Sequence, residues 1–191
     1  MRRYRAIDLS LFALIVCLLE AAAQLAIRLY PTEAFSFSAV LPIALIVMMR
    51  WGAWGILHAM LGGLVYSLLN GGGTAAVLAY TLGSALVGGN LVWFRLLGKK
   101  RVQQSGALCV LYTLSGYALM ETGRAAVAAA FTHSPFFGLW VRYMSVDALS
   151  CVMAVIVILI ARRRDKNGCV FQDQREYLAE LAAREEQKPC A

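Results

Sequence analysis

Residues 35–69 read FSFSAVLPIALIVMMRWGAWGILHAMLGGLVYSLL. As a single helix this stretch would be about 52 Å long. That is too long for one crossing of a roughly 30 Å hydrocarbon core and short for two full crossings. Its middle, Arg50-Trp51-Gly52-Ala53-Trp54-Gly55, holds a charge, two tryptophans and two glycines, the residue types of a turn at a membrane interface. The sequence therefore predicts two short helices, 35–49 and 53–69, whose ends are shielded by surrounding protein. The alternative is one kinked helix, which lowers the number of crossings from six to five and leaves the C-terminal basic cluster outside.

The rest of the chain has the same character. Of 191 residues, 60% are hydrophobic and 15% charged, and the mean hydropathy is +0.65. Soluble domains are about 45–50% apolar and about 25% charged, so this chain has too little polar surface for a water-facing globule. Apolar runs at 9–29, 74–97, 106–131 and 137–161 bring the predicted spans to six. The run from Leu9 to Leu29 is long enough to span, and it contains Glu20 and Gln24, which a cleaved signal sequence would avoid. With six spans, Arg2, Arg3, Arg5, Arg50, Arg95, Lys99, Lys100, Arg101, Arg162, Arg163, Arg164 and Lys166 share one side, against Arg28, Arg124 and Arg142 toward the other. The positive-inside rule then places both termini in the cytoplasm. The expected fold is all-α: a six-helix integral membrane bundle over 1–164 in the cell membrane, followed by a charged cytoplasmic tail, 165–191, that is helical over about 172–186. The net charge of +7 comes from short clusters between apolar runs, without the interleaved aromatics of a nucleic-acid groove, so no nucleic-acid partner is expected. Five cysteines without CxxC spacing and two histidines indicate neither a zinc site nor a disulfide framework. No cofactor is expected.

Charged side chains inside a membrane cost several kcal/mol and mark function by default. Glu20, Gln24 and Arg28 recur every four residues on one face of the first helix. Tyr117, Glu121 and Arg124 lie on the fifth, Trp140, Arg142, Tyr143 and Asp147 on the sixth, and Tyr80 on the fourth. In the predicted topology nearly all of these fall between the midplane and the outer surface. Glu20, Glu121 and Asp147 against Arg28, Arg124 and Arg142 sum to zero. Such a set is either a closed salt-bridge network or a small polar cavity in which arginine forks and carboxylates receive a ligand. The candidate substrate-binding residues are Gln24, Arg28, Tyr80, Tyr117, Glu121, Arg124, Trp140, Arg142, Tyr143 and Asp147. The three arginines admit an anionic or carbonyl-rich ligand, and the aromatics admit a stacked ring. His58 and Asn90 read as interhelical hydrogen-bond partners, and His133 as part of an outer loop beside Pro135 and Phe136. No GxSxG, HExxH or paired histidines appear, so catalysis is not expected. Ala22 and Ala26 form a small-xxx-small pair about 200° around the first helix from Glu20 and Gln24, where another helix could approach closely or where the bundle simply packs.

The chain resembles the substrate-binding S component of energy-coupling-factor (ECF) transporters over roughly residues 8–164. The likeness rests on the six spans, the Ala22-x-x-x-Ala26 pair, and the stretch Arg50-Trp51-Gly52-Ala53-Trp54-Gly55 leading into the Gly-rich helix through Tyr66. The resemblance implies capture of a vitamin-like micronutrient from outside. It also implies association with a transmembrane coupling subunit, docked on Ala22 and Ala26, and with two cytoplasmic ATPases. The chain itself has no phosphate-binding loop. The competing expectations are a membrane scaffold of similar fold, like rod-shape proteins, and an intramembrane enzyme dependent on Glu121 or Asp147.

Overall fold

The computed structural model of the chain describes residues 2–29, 37–164 and 170–171. Among these residues the protein is all-helical. The helices are α1 (Arg2–Leu29), α2 (Val40–Trp51), α3 (Trp54–Leu69), α4 (Thr74–Leu82), α5 (Val92–Leu97), α6 (Lys99–Gln104), α7 (Gly106–Thr132), α8 (Phe136–Val146) and α9 (Ala148–Arg164), with a 3-10 stretch, Gly83–Leu91, between α4 and α5. The tail helix expected over 172–186 and the loop over 30–34 lie outside the described residues.

Residues 35–69 form two helices rather than one kinked one. Gly52 turns the chain between them in a left-handed conformation (φ 63°) that a side chain would strain. The first of the pair starts at Val40, later than the 35 expected from hydropathy. The reason is a cap: Glu20 of α1 accepts hydrogen bonds from Ala39 N (2.6 Å) and Ser38 Oγ (3.0 Å), fixing where α2 begins. Ten consecutive residues of α2, Val40 to Met49, are buried, so α2 is the inner wall of the bundle. α3 packs on it through Gly62, where an added Cβ would lie 2.6 Å from Val40.

The span expected over 74–97 has helical ends and a 3-10 middle. Gly83, Ser84, Gly88 and Gly89 let this middle press against its neighbours: a Cβ on Gly83 would sit 2.5 Å from the Arg124 Cα, and one on Gly123 would sit 2.1 Å from the Gly83 carbonyl. Backbone-to-backbone contact holds this stretch against α7, because the residues there are too small to keep the two apart. The span expected over 137–161 is bent by 52° between α8 and α9. The break falls at Asp147, whose backbone N–H bonds back to Tyr143 O and whose carbonyl accepts from Cys151 N at the start of α9.

The helix ends gather at two poles. At the basic pole, Asp8 of α1 accepts from Arg50 Nε (3.0 Å) and Trp51 Nε1 (2.5 Å) of α2. Arg50 also donates to Val170 O, and Gln103 donates to Met49 O and to the carbonyl of the fully buried Phe171. At least two tail residues therefore fold back onto the bundle. His58 sits between the carbonyls of Trp54 and Leu9, 2.9 Å from each, and Asn90 donates to Tyr112 O (2.7 Å) and accepts from Ser115 Oγ. Both are interhelical ties, as expected.

The exposed surface of α1 is a stripe of Ile7, Leu11, Leu14, Leu18, Leu25 and Leu29. Apolar surface of this extent suits lipid and is rare on water-facing monomers. Among the described residues two segments, Tyr4–Leu29 and Thr74–Leu97, are long and apolar enough to cross a membrane, and α8 with α9 makes a third if the bent pair is one span. α2 and α3 are short apolar helices.

Candidate functional site

At the pole opposite the basic one, α7 carries Glu121 and Arg124, three residues apart and therefore on one face. That face turns inward: Glu121 and Arg124 are buried, as is Asp147 at the α8–α9 bend. Arg124 Nη1 donates to Glu121 Oε1 and to Asp147 Oδ2, each at 2.9 Å, and Arg124 Nε donates to Ser84 Oγ at 3.0 Å. The guanidinium lies 4.7 Å above the Tyr80 ring. One side chain thereby joins α7, the α8–α9 break and the 3-10 stretch. Removing a neutral isostere there would cost packing. Removing this charge would take from Glu121 and Asp147 the buried guanidinium they share.

Aromatic side chains line the same region. Tyr66 and Tyr80 rings are 4.6 Å apart, Tyr143 meets Tyr80 edge-on at 5.7 Å, and Tyr117 donates its hydroxyl to Met144 O. The first turn of α9 links the cluster to α1. Ser150 Oγ accepts from Ser38 N (2.9 Å), and Ser38 Oγ donates to Glu20. Asp147, just before α9, holds Arg124 and through it Glu121. Glu20 and Glu121 thus flank the start of α9. Gln24, one turn beyond Glu20 on α1, is buried with it.

The structure brings Gln24, Tyr80, Tyr117, Glu121, Arg124, Tyr143 and Asp147 to this pole. It places three others outside the buried cluster. Arg28 is exposed and donates to the carbonyl of Leu69, so it ties the ends of α1 and α3 and does not face the cluster. Arg142 is exposed as well. Arg28 sits in the last turn of α1, where a long side chain reaches the surface at little cost, and Arg142 lies on α8, none of whose residues is buried. Trp140 donates its indole N–H to Thr122 Oγ1 (3.0 Å) and stacks on Phe137, so it fastens α8 to α7 away from Arg124. His133 is exposed in a left-handed conformation (φ 52°) at the end of α7. Ala22 and Ala26 are exposed while Glu20 and Gln24 are buried, so the two faces of α1 point as their spacing predicts.

Loss of Arg28 and Arg142 changes the charge balance. The neutral set of three against three becomes, among the described residues, three buried carboxylates (Glu20, Glu121 and Asp147) around one buried guanidinium. The polar satisfaction is also incomplete. Glu20 Oε2, Gln24 Nε2 and Glu121 Oε2 are buried and lack a hydrogen-bond partner among the described residues. Sequence reasoning missed Ser38, Ser84, Ser150 and Tyr66. Hydroxyls are ordinary in apolar helices, and only their spacing from Glu20, Tyr80 and Asp147 could have singled them out. Among the described residues no three His, Cys, Asp or Glu side chains are placed to hold a metal ion. No protein-family model, curated protein or solved structure matches the chain.

Proposed function

We propose that the chain is the membrane-embedded capture subunit of an uptake system of the ECF type. In this proposal it crosses the bilayer six times with both termini cytoplasmic. It takes up a vitamin-like small molecule at the pole formed by Glu20, Gln24, Glu121, Arg124 and Asp147. A transmembrane coupling subunit, docked on the small exposed face at Ala22 and Ala26, and two cytoplasmic ATPases supply the transport energy. The observation that carries the proposal is the incomplete polar cluster. Buried polar groups are normally paired, and a network built only to hold helices together would satisfy its own members. Here an amide nitrogen and two carboxylate oxygens on two helices are buried without hydrogen-bond partners among the described residues.

The test is mass spectrometry of small molecules released from the full chain after extraction in mild detergent. A stoichiometric bound molecule is expected, and adding it back to stripped protein raises Tm. Protein that carries no small molecule, and that no vitamin-like compound stabilises, would contradict the proposal. One observation favours a second possibility, a scaffold of similar fold: Arg124 already ties three elements together by bonding Glu121, Asp147 and Ser84 through Nη1 and Nε. A scaffold retains no ligand and depends instead on the exposed face of α1.

A further inference from the structure

The basic pole, opposite the site above, carries a surface that the capture proposal does not use. Along α9, Val152, Ile156 and Ile160 recur every four residues and are exposed, and Arg164 is exposed at the next step of the same stripe. From Val152 to Arg164 the stripe is about 18 Å long. Half of a roughly 30 Å hydrocarbon core is about 15 Å. The stripe therefore has the length and the order of one leaflet: apolar over the depth of an acyl chain, then a cation at the level of a headgroup.

A second basic cluster is brought to the same place. Gln104, the last residue of α6, accepts at its carbonyl from Arg162 Nε (3.2 Å) and Nη2 (2.7 Å). These bonds hold the end of α9 against the end of α6, although the two residues are 58 apart in the chain. α6 presents two different faces there. Val102 and Gln103 are buried, whereas Arg101 and Gln104, three residues apart and so on one face, are exposed. Arg163 and Arg164, next to Arg162 in the chain, are exposed too. Exposed guanidinium side chains from two elements thus lie within a turn of one tie. The apolar segment Thr74–Leu97 stops just before α6, and its Leu96 is 76% exposed. Both basic clusters therefore begin where an exposed apolar surface ends. A nucleic acid or an acidic protein would match only the charged half of this surface. A phospholipid matches both halves.

We infer that the α6–α9 edge of the basic pole holds the phosphate of an anionic phospholipid between Arg101, Arg163 and Arg164, with an acyl chain along Val152, Ile156 and Ile160. Guanidinium forks suit phosphate oxygens. Bases at the end of a membrane span each favour an anionic leaflet by about fivefold. The inference needs the chain to sit in a bilayer and is independent of what the opposite pole binds.

The full chain is reconstituted in nanodiscs of phosphatidylcholine mixed with phosphatidylglycerol. Lipids that stay with it after transfer to mild detergent are identified by native mass spectrometry. One triple variant combines Arg101→Gln, Arg163→Gln and Arg164→Gln and leaves Arg162 in place, so the tie to Gln104 is kept. A control triple, Arg2→Gln with Arg3→Gln and Arg142→Gln, removes the same charge elsewhere. The expected result is that wild type retains phosphatidylglycerol in preference to phosphatidylcholine and loses that preference as salt rises. The preference falls about a hundredfold in the first triple, three bases at fivefold each, and survives in the control. Should the triple not fold, Arg164→Gln alone is expected to lower it about fivefold. Three results overturn the inference. One is no preference in wild type, as when the acidic residues from Asp165 onward in the sequence occupy the arginines instead. Another is an equal loss in both triples, which reduces the effect to net charge. The third is inorganic phosphate raising Tm as much as phosphatidylglycerol does, which makes the ligand a free anion. Each leaves the capture proposal standing, because that is read at the other pole.

Discussion

Arg124 is the side chain on which the acidic pole depends. Replacing it with alanine strands Glu121 and Asp147 in the interior, and breaking a buried ion pair from one side costs about 3–5 kcal/mol. The expected outcome for Arg124→Ala is a marked fall in Tm of the detergent-extracted chain, together with loss of any bound ligand. Arg124→Ala combined with Glu121→Gln recovers part of the stability, because one stranded charge is gone. A chain as stable as wild type after Arg124→Ala would show that the guanidinium is not what neutralises the two carboxylates. At this scale the sequence was legible where a charge lay deep in an apolar run: Glu20, Glu121, Arg124 and Asp147 all proved to be buried. It misled where depth was ambiguous. Arg28 lies in the last turn of α1 and Arg142 on a helix with no buried residue, and spacing along a helix reveals neither. The serines that complete the cluster gave no signal, since a hydroxyl in an apolar helix most often bonds its own backbone, as Ser67 does to Leu64 O.

Between α7 and the 3-10 stretch, packing is backbone on backbone. Gly83→Ala places a methyl 2.5 Å from the Arg124 Cα, a contact that backbone atoms cannot relieve by a rotamer change. Overpacking of this kind costs about 1–3 kcal/mol. Because the shift moves Arg124 itself, ligand retention is expected to fall along with Tm. Gly73→Ala, which meets nothing within 4 Å, is expected to leave both unchanged. Glu20→Ala removes the cap of α2, worth about 0.5–2 kcal/mol, and hydrogen exchange at the amides of the first turn of α2 should quicken before the rest of the helix does. The break between α2 and α3 was readable because Arg50, Gly52 and two tryptophans interrupt an apolar run. The start of α2 was not, since a cap supplied from α1 is invisible in local sequence. The bend at Asp147 was hidden for a similar reason. One acidic residue in an apolar run reads as a buried polar group, and only the Arg124 on a separate helix shows why the chain breaks there.

The two poles of the molecule differ in chemistry. One knots Asp8, Arg50, Trp51, Gln103 and Phe171 together beside the basic clusters, and the other buries carboxylates around a single arginine. If the bundle crosses the membrane six times, single cysteines introduced near Tyr4 and Arg164 react with a membrane-impermeant maleimide only after the cytoplasmic side is opened, and one introduced at Gly71 reacts in intact cells. Labelling of the Tyr4 and Arg164 positions from opposite sides would leave an odd number of crossings. Helix content and the inward polar face were legible because charge is conspicuous against an apolar background. The net charge of that face was not, because it depends on which arginines are buried, a property of three dimensions. The most direct measurement is a high-resolution structure of the full chain purified gently in lipid nanodiscs. The account predicts density for one non-protein molecule within hydrogen-bond distance of Glu121 Oε2 and Glu20 Oε2, beside the tyrosines. A closed, empty cluster in which those oxygens and Gln24 Nε2 pair with other side chains of the protein would contradict it.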